Sequence, residues 1–384
     1  MRIAQVAPLY ESVPPKLYGG TERVVSYLTE ELVRQGHEVT LFASGDSITA
    51  AELIAPRPQA VRLDPHCVDS LACHFSMLEE LFQHADRFDV IHFHVDYLHY
   101  PWSRRERRPH VTTLHGRLDI PELVGLYQKY GDMPVVSISN AQRKPLPDAN
   151  WQATVYHGLP PDLHCCREQP GDYLVFLGRI SPEKRVDRAI EIARRTGMPL
   201  RIAAKVDNAD KRYFHAEIEH LFADPLVEYL GELDERRKGE LLVGARALLF
   251  PIDWPEPFGL VMIEAMACGL PVIAWRRGSV PEVIEDGVSG FIVEGIDEAV
   301  DAVARTGHLS RARCRQVFME RFSVERMARD YVAVYQRLIE QQPGREAVLV
   351  SDRPPAEQGL PSPAVQNGAP HTLQFPPKPS SLSA

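Results

Sequence analysis

Short apolar runs rich in β-branched residues recur along the chain and alternate with helical patterns. Ten runs stand out: RIAQVA, EVTLFA, DVIHFH, HVTTLH, PVVSIS, YLVFLG, LRIAA, ALLFP, PVIAW and GFIVE. Strands that alternate with helices form parallel sheets with helices on both faces, because each crossover helix packs back onto the sheet. The sequence therefore predicts an α/β fold.

The length and one polar stretch predict two domains. A chain of 384 residues is longer than one hydrophobic core usually supports. The stretch GLPPDLHCCREQPGD, residues 158–172, has the proline-rich and polar character of a linker. We predict a Rossmann-like domain over residues 1–165 and a second over 166–322. Ligands of such sheets bind beyond the carboxyl ends of the strands, so the two domains would face each other across a ligand cleft.

The pattern SVERMARDYVAVYQRLIEQ predicts one more helix, over residues 323–341, which we consider able to cross back to the N-terminal domain. Ser323 is a good N-cap residue. Apolar positions then follow helical spacing at Met327, Tyr331, Val334 and Leu338. Residues 342–384 are rich in proline and serine with little apolar periodicity, so we predict a disordered tail.

Charge and hydropathy exclude several classes of protein. A net charge of -9 argues against nucleic acid as the main partner, because phosphate binding needs a basic footprint. Apolar runs fall short of the roughly 18 residues of a membrane-spanning helix, and the first residues do not resemble a signal peptide. The six cysteines form no pair of C-x-x-C clusters. We therefore expect a cytoplasmic protein with reduced thiols and no metal site.

Two carboxylates, Glu256 and Glu264, stand out in the apolar stretch EPFGLVMIEAMACGLPVIA. Pro257 predicts a helix that begins just after Glu256 and carries Glu264 on its second turn. A buried carboxylate needs hydrogen-bond donors, and the two vicinal hydroxyls of a ribose would supply them. The alternative is a structural arginine, or free backbone N–H groups from the neighbouring domain.

A basic segment, LGRISPEKRVDRAIEIARR, predicts an anion site. Arg179 follows a strand, Ser181 and Pro182 suit the first positions of a helix, and Lys184 follows them. A helix N-terminus binds anions, and an arginine guanidinium and a lysine ammonium beside it strengthen the binding. We expect the anion to be a diphosphate. The alternative is an exposed basic start of a helix.

Backbone amides complete the predicted site. The first helical turn after Glu256 would hold Phe258, Gly259 and Leu260, whose N–H groups lack partners within the helix. Near the N-terminus, Gly19 and Gly20 precede Thr21, which we take as an N-cap. Glycines between a strand and a helix let the backbone approach a phosphate, although the full G-x-G-x-x-G pattern is missing.

Four motifs together resemble one family. The E-x7-E pair, the segment GRISPEK, the opening YGGTERVV and the strand end TLHG look like those of the retaining, nucleotide-sugar-dependent glycosyltransferases of family 4. The resemblance covers about residues 1–340. It implies the GT-B fold, in which two Rossmann-like domains face each other across a cleft.

The resemblance also implies roles for individual residues. Glu264 would hold the ribose, and Glu256 would contact hydroxyls of the donor sugar. The amides of residues 258–260 would face sugar or phosphate oxygens. Arg179 and Lys184 would stabilise the departing diphosphate, so that no metal is required.

On the N-terminal side, the resemblance implies that Gly19 and Gly20 close over the diphosphate and that His115 lies near the donor sugar. A structural histidine at a strand end is the alternative for His115. The motif HFHVD places His92, His94 and Asp96 on one strand face, where we assign Asp96 to the acceptor rather than the three residues to a metal.

Two further charged positions are less specific. The run SRRERRPH holds Arg104, Arg105, Arg107 and Arg108. It is expected to be a solvated loop, with an anionic acceptor or a membrane surface as alternative partners. Glu282 is expected to cap a helix or to face solvent.

The sequence thus predicts an enzyme that transfers a hexose from a nucleotide diphosphate sugar with retention of configuration. UDP-glucose is the first expected donor and GDP-mannose the second. The acceptor is a saccharide, a lipid-linked molecule or a small molecule, and peripheral contact with the inner face of the membrane stays open. The alternatives are a nucleotide-sugar epimerase and a non-catalytic nucleotide-sugar-binding protein.

Overall fold

Two parallel sheets organise the computed structural model, which describes residues 1–106 and 108–342. Helices cover the sheets, so the apolar runs of the sequence become buried strands. The predicted α/β class with two Rossmann-like domains is confirmed. Arg107 and residues 343–384, which contain nearly all of the predicted disordered tail, lie outside the described residues.

The first sheet and its helices form the N-terminal lobe. Its strands are β1 (Arg2–Val6), β2 (Glu38–Phe42), β3 (Glu52–Ile54), β4 (Val90–Phe93), β5 (His110–Thr113), β6 (Val135–Ser137) and β7 (Trp151–Thr154). They lie in the order β3-β2-β1-β4-β5-β6-β7, and every neighbouring pair is parallel. The order reverses between β1 and β4, and ligands bind at such a switch point in open parallel sheets.

The second sheet and its helices form the C-terminal lobe. Its strands are β8 (Leu174–Arg179), β9 (Leu200–Lys205), β10 (Val227–Gly231), β11 (Ala247–Phe250), β12 (Val272–Trp275) and β13 (Gly290–Val293). They lie in the parallel order β10-β9-β8-β11-β12-β13, which reverses between β8 and β11. The chain passes from one sheet to the other between Thr154 and Leu174.

The connections are helical. The α-helices are α1 (Gly20–Arg34), α2 (Ser70–Gln83), α3 (Tyr100–Ser103), α4 (Pro121–Lys129), α5 (Asn140–Arg143), α6 (Val186–Thr196), α7 (Lys211–Tyr213), α8 (Glu235–Gly244), α9 (Leu260–Ala267), α10 (Val280–Val283), α11 (Ile296–Arg305), α12 (Arg311–Arg321) and α13 (Val324–Glu340). Short 3₁₀ turns lie at Val61–Leu63, Ala85–Arg87, Asn208–Asp210, Glu219–Ala223 and Thr306–His308, and a π-helical turn lies at Phe214–Ile218.

The last helix, α13, packs on the N-terminal lobe. The side chain of Ser323 caps it and accepts a hydrogen bond from the backbone N–H of Arg326 at 3.4 Å. Met327, Tyr331 and Tyr335 are buried in the same core as residues of α1 and of the first sheet. The end of the described chain is therefore part of the N-terminal core, and two of its tyrosine hydroxyls reach the interior.

The two lobes meet through polar contacts at both sides of the cleft. The backbone N–H of Tyr18 donates to Glu232 Oε1 at 2.9 Å. The carboxylate of Glu282 in α10 accepts from the backbone N–H groups of Asn140 and Ala141, both at 2.7 Å. Glu282 thus caps a helix, as the sequence predicts, but the helix is α5 of the opposite lobe.

All six cysteines are free thiols. Among the described residues, no helix combines the length and the apolar character that crossing a membrane requires.

Candidate active site

A cleft of about 520 Å³ lies between the lobes, beyond the carboxyl ends of β1, β4, β5, β8 and β11. Both switch points of strand order open onto it, as expected for α/β sheets. All eleven residues selected from the sequence line this one cleft: Gly19, Gly20, Asp96, His115, Arg179, Lys184, Glu256, Phe258, Gly259, Leu260 and Glu264. The cleft is therefore the candidate active site.

Glu264 is buried in the floor of the cleft and paired with a lysine. Its side chain is 4% exposed, and Lys238 Nζ donates to its Oε1 at 2.6 Å. Burial by itself raises the pKa of Glu264, but the Lys238 ammonium outweighs burial and leaves that pKa below its usual value. The charge therefore has a partner inside the protein, and this partner is a lysine rather than the arginine considered from sequence.

Lys238 connects Glu264 to the other lobe. Its Nζ also lies 3.0 Å from Glu235 Oε2, and the same carboxylate pairs with Arg23 Nη1 of α1 at 2.5 Å. Arg23, Glu235, Lys238 and Glu264 thus form a row of ion pairs in which positive and negative groups alternate, so their formal charges cancel. A carboxylate has about four acceptor positions, so Glu264 can hold Lys238 and still accept hydrogen bonds from a diol in the cleft.

The helix that carries Glu264 begins later than predicted. Its first residue is Leu260, and Gly259 before it has a left-handed backbone with φ +80. A β-carbon at Gly259 would lie 2.9 Å from Met262 Cε, so both conformation and space favour glycine. Glu264 still falls on the second turn. Phe258 precedes the helix and is buried, so only its backbone can serve the cleft.

Arg179 ends β8 and is surrounded by carboxylates. Its guanidinium contacts Glu183 Oε1 at 2.5 Å, Asp207 Oδ2 at 3.5 Å and Asp210 Oδ2 at 3.7 Å. Three acceptors fix its position beside the cleft while leaving part of the guanidinium accessible, at 32% exposure. An anion entering the cleft would compete with these carboxylates for its N–H groups.

The helix after Arg179 also starts later than the sequence suggests. Ser181 and Pro182 are not its first residues, because α6 begins at Val186 after a left-handed Arg185 with φ 54. The Arg185 side chain donates hydrogen bonds to Asp187, the shortest at 2.6 Å. Lys184 thus lies in a tight turn rather than in the first turn of the helix, and its side chain points into the cleft.

Lys184 and Glu256 form an ion pair across the cleft wall. Lys184 Nζ bonds to Glu256 Oε2, to which Trp254 Nε1 also donates at 3.0 Å. The ammonium lies 5.1 Å from the centre of the Trp254 ring, within cation–π range. The side chains of Lys184 and Glu256 are 16% and 10% exposed, so both are partly desolvated. The residue expected to bind phosphate and the one expected to bind sugar are therefore bound to each other.

The glycines lie at the start of α1, opposite α9. The helix begins at Gly20 with Gly19 at the N-cap position, so the prediction that Thr21 is the N-cap is wrong. Gly19 has no side chain that could cap this N-terminus. A β-carbon on Gly19 would lie 2.7 Å from Pro15 Cβ, whereas one on Gly20 would meet Leu260 of the other lobe at 3.6 Å. The start of α1 thus lies close to the Leu260 side chain of α9 across the cleft.

His115 follows β5 and faces the cleft. Its Nε2 lies 2.8 Å from His94 Nδ1, and its ring stacks on His157 at a centroid distance of 5.4 Å. Burial lowers the pKa of His115 to about 3, so its imidazole is neutral near pH 7. Within residues 1–106 and 108–342, His115 Nδ1 has no hydrogen-bond partner although it is buried. A buried polar atom without a partner calls for an explanation, and a hydrogen bond to a ligand in the cleft would supply one.

The other residues of HFHVD have separate roles. His92 and His94 are buried and bonded to protein groups, whereas Asp96 is exposed in the cleft. Although Asp96 is open to solvent on one side, the surrounding walls of the cleft displace part of the water around its carboxylate and raise its pKa to about 6. Its backbone φ of 50 is uncommon outside glycine but accessible to aspartate. The described residues contain no group of three or more side chains arranged to hold a metal ion.

Four cleft residues have no signal of their own in the sequence. Arg23 sits in an ordinary amphipathic helix, Glu235 and Lys238 sit in the charged pattern DERRKGELL, and His157 follows β7 in YHGLP. Lys238 is the most important of them, because it bonds to Glu264. Only the tertiary packing of α8 against α9 distinguishes it from the arginines beside it, Arg236 and Arg237, which are exposed.

The described arginines of the basic run near α3, Arg104, Arg105 and Arg108, do not line the cleft. Arg104 pairs with Asp132 and its guanidinium lies 4.4 Å from the centre of the Tyr130 ring. Arg105 donates to the backbone oxygen of Pro101 at 3.4 Å. Arg107 lies outside the described residues.

Two family profiles match consecutive parts of the chain. "Glycosyltransferase Family 4" matches residues 18–151, and "Glycosyl transferases group 1" matches residues 167–315. N-acetyl-alpha-D-glucosaminyl L-malate synthase of Bacillus anthracis is 25% identical over 83% of this chain and 93% of its own length.

Solved structures agree with the fold. AviGT4, a glycosyltransferase involved in avilamycin A biosynthesis, superposes with a TM-score of 0.70 at 27% identity, over 88% of this chain and 98% of its own. Anabaena HepE, solved with UDP and glucose, superposes with a TM-score of 0.66 at 19% identity, over 88% of this chain and all of its own. Together with the two sheets and the cleft, these matches show that the chain belongs to glycosyltransferase family 4 and has the GT-B fold.

Proposed function

We propose that this glycosyltransferase moves a hexose from a nucleotide diphosphate sugar to an acceptor and retains the anomeric configuration. The observation that carries the proposal is the placement of Glu256 and Glu264 in one cleft with Arg179 and Lys184. Carboxylates suit sugar and ribose hydroxyls, and cations suit a diphosphate. One ligand with all these groups is a nucleotide diphosphate sugar.

The nucleotide would lie on the C-terminal lobe. Glu264 would accept hydrogen bonds from the ribose while Lys238 holds its carboxylate in place. The first amides of α9, at Leu260 and Val261, have no partner further back in the helix and would donate to phosphate or sugar oxygens. Because Gly259 has no side chain, the donor can come close to the backbone at the start of α9. Gly19 and Gly20 leave the backbone at the start of α1 open in the same way, from the opposite lobe.

Donor binding would exchange partners at the ion pair of Lys184 and Glu256. The diphosphate would take Lys184 and Arg179 from their present carboxylates, and Glu256 would turn to hydroxyls of the sugar. In the cleft without donor, Arg179, Lys184 and Glu256 already have partners of opposite charge. The donor would therefore replace these ion pairs rather than neutralise unpaired charges. This exchange supports selectivity for a ligand that carries both diphosphate and hydroxyl groups.

Transfer would follow same-face attack. The bond between the anomeric carbon and the diphosphate oxygen breaks, and the acceptor oxygen bonds to that carbon on the same face. The acceptor's proton passes to an oxygen of the departing diphosphate, so no protein nucleophile is needed. Arg179 and Lys184 would stabilise the charge that develops on the leaving group, without a metal ion. His115 would contact the donor sugar, and Asp96 would contact the acceptor.

The donor is proposed as UDP-glucose first and GDP-mannose second. UDP-glucose is supported by HepE, which has the same fold and was solved in complex with UDP and glucose. The acceptor is an unidentified saccharide, lipid-linked or small molecule. An acidic small acceptor is supported by the malate named in the synthase from Bacillus anthracis.

We also propose a cytoplasmic location, with peripheral contact at the inner face of the membrane as an option that vesicle binding tests. Vesicles that contain anionic lipid should bind the protein, and replacing Arg104, Arg105 and Arg108 by alanine should abolish binding. Binding that survives these replacements would eliminate this membrane surface.

Two other functions fit the same cleft. A nucleotide-sugar epimerase would convert the donor without an acceptor, and a non-catalytic binding protein would hold the donor without turnover. The second is disfavoured because Lys184 and Glu256 are both present at the diphosphate end. Incubation of the protein with a nucleotide sugar alone distinguishes them, since only an epimerase produces an epimer there.

The proposal is tested by a panel of nucleotide sugars. Ligand at 100 times its Kd stabilises the folded state by about 2.7 kcal/mol, which a thermal shift assay detects. Donors that raise the Tm are then mixed with candidate acceptors. Acceptor-dependent release of nucleotide diphosphate supports transfer, and the NMR coupling of the anomeric proton in the product reports retention. Donor binding without release on any acceptor would favour the binding protein.

A further inference from the structure

A buried chain of hydrogen bonds runs from His115 to the last helix. His94 links His115 to Gln5 of β1, and Gln5 Nε2 donates to the hydroxyl of Tyr335 in α13 at 3.2 Å. That hydroxyl lies 2.7 Å from His92 Nδ1. Gln5, His92 and Tyr335 are fully buried, so water does not substitute for a missing partner.

The amide of Gln5 sets the direction of every bond in this chain. Gln5 Oε1 lies 2.8 Å from His94 Nε2, and a carboxamide oxygen only accepts. His94 Nε2 therefore carries a proton. Burial lowers the pKa of His94 well below its usual value, so the ring is neutral and its other nitrogen, Nδ1, is an acceptor.

The same logic fixes His115. Its Nε2 lies 2.8 Å from His94 Nδ1, so Nε2 must donate and carry the proton. His115 is neutral as well, which leaves a lone pair on Nδ1, the buried atom without a partner in the described part of the chain. The cleft histidine therefore presents an acceptor and not a donor.

The other end of the chain is consistent with this direction. The Tyr335 hydroxyl receives the Gln5 amide proton and gives its own proton to His92 Nδ1. His92 Nε2 then donates to Thr113 Oγ1 at 2.7 Å. If the Gln5 amide were reversed, every proton in the chain would move and His115 Nδ1 would carry an N–H.

We infer that Gln5 and His94, anchored by Tyr335 of the C-terminal helix, are positioning residues that hold His115 in its Nε2–H tautomer, so that Nδ1 accepts a hydroxyl of the donor sugar. The hydroxyl part rests on the proposed function, whereas the tautomer does not. A phosphate oxygen, which accepts hydrogen bonds, is not a partner for this nitrogen. The inference thus assigns His115 to the sugar rather than to the leaving group.

The tautomer is measured directly by NMR of protein labelled with 15N-histidine, with His115 assigned from the signals lost in His115→Asn. In wild-type protein near pH 7.5, His115 should show a protonated Nε2 and an unprotonated Nδ1. The opposite tautomer in the wild type would overturn the inference.

Tyr335→Phe tests the anchor. Without the hydroxyl, the Gln5 amide is free to reverse, so His115 should show a mixture of both tautomers. Tyr331→Phe is the matched control, because it removes a hydroxyl one helical turn away whose partner within the described residues is Thr113, at 2.8 Å. This variant should keep the wild-type tautomer. A single Nε2–H tautomer in Tyr335→Phe would contradict the role of Tyr335.

Activity gives the second readout. On donors that each lack one sugar hydroxyl, wild-type kcat/KM should fall for one of them by roughly 10-fold, the value of one hydrogen bond. Tyr335→Phe should narrow that difference while Tyr331→Phe keeps it. Equal discrimination in both variants would overturn the assignment to the sugar. If no nucleotide sugar is turned over at all, the proposed function fails while the tautomer measurement still decides the inference about Gln5 and Tyr335.

Discussion

Lys238 Nζ lies 2.6 Å from Glu264 Oε1 in the floor of the cleft, where the two side chains are 11% and 4% exposed. The pair explains how an ionised carboxylate is accommodated in a helix made almost entirely of apolar residues. A buried pair of this kind contributes little net stability, because desolvation offsets attraction, yet breaking it by removing one partner is costly. We infer that the pair serves binding instead, because Lys238 keeps the Glu264 carboxylate ionised and fixed in position where the nucleotide is proposed to bind.

The first prediction concerns this pair. Lys238→Met keeps the length of the side chain and leaves Glu264 buried without its cation, so the free energy of unfolding near pH 7 should fall by about 3–5 kcal/mol. Urea denaturation measures the loss. The double variant Lys238→Met with Glu264→Leu should recover much of it, because no unpaired charge remains. A double variant as unstable as the single one would show that the pair is not the cause.

The second prediction concerns the sugar. Glu256→Gln keeps the shape of the side chain but frees Lys184 and weakens acceptance of sugar hydroxyls. We expect kcat to fall by roughly 10²-fold, because the contacts to sugar hydroxyls strengthen in the transition state. The Kd for the nucleotide diphosphate should not weaken, because this ligand has no donor sugar and Lys184 is freed to bind it. Glu240→Gln, at an exposed carboxylate paired with Arg236, is the control. A weaker Kd with unchanged kcat would assign Glu256 to ground-state binding instead.

The third prediction concerns metal ions. Because Arg179 and Lys184 reach the cleft as fixed cations, the leaving diphosphate has protein charges to stabilise it. Transfer should therefore proceed at an unchanged rate after dialysis against EDTA. Activity that disappears with EDTA and returns with a divalent cation would require a metal in the mechanism and would contradict the role given to these side chains.

The fourth prediction concerns acid stability. Burial lowers the pKa of His115 from 6.5 to about 3, and it also lowers the pKa values of His92, His94 and His157. The unfolded chain binds protons at these histidines below pH 6.5 while the folded protein does not, so stability falls as the pH drops from 6.5 towards 3. His115 contributes a slope of up to about 1.4 kcal/mol per pH unit in that window, and the other three histidines add to the fall in the same direction.

Thermal denaturation between pH 4 and pH 9 measures this effect. The Tm should be level above pH 7 and fall steeply below about pH 6.5. His157→Phe, which keeps an aromatic ring between His115 and Phe258, should make the fall less steep. The same slope in the variant would mean that His157 protonates in the folded protein.

Hydrophobic patterns in the sequence predict most of the fold. The strands that they do not predict lie at the edges of the sheets. All ten predicted runs became strands, whereas β3, β7 and β10 were not predicted. These three are edge strands. An edge strand has one neighbour and is less buried, so its sequence lacks the continuous apolar character that identifies a central strand.

Helix starts were less predictable, because they depend on single backbone conformations. Pro257 and Pro182 suggested helices that begin immediately, but left-handed residues at Gly259 and Arg185 delay α9 and α6. At Arg185 the left-handed backbone occurs together with side-chain hydrogen bonds to Asp187, and this local geometry could not be deduced from the order of residues alone.

The sequence motifs identified the residues that face the ligand better than the residues that hold them in position. Glu256, Arg179 and their neighbours carry recognisable spacing, so their placement in one cleft followed the pattern. Lys238 and Gln5 carry none, since each acts through a contact made by a distant element. Residues that position others are set by tertiary packing, which a single sequence does not display.

The central claim is that Glu264 binds the ribose of the donor. Its most direct test compares nucleotides with and without the 2′-hydroxyl of the ribose. Binding of UDP and 2′-deoxy-UDP, and of GDP and 2′-deoxy-GDP, is measured by calorimetry for the wild type and for Glu264→Gln, in which Lys238 keeps Glu235 as a partner. We predict that the wild type prefers the ribonucleotide by roughly 10-fold or more, and that Glu264→Gln loses most of this preference. A preference that persists unchanged in Glu264→Gln would contradict the assignment of Glu264 to the ribose.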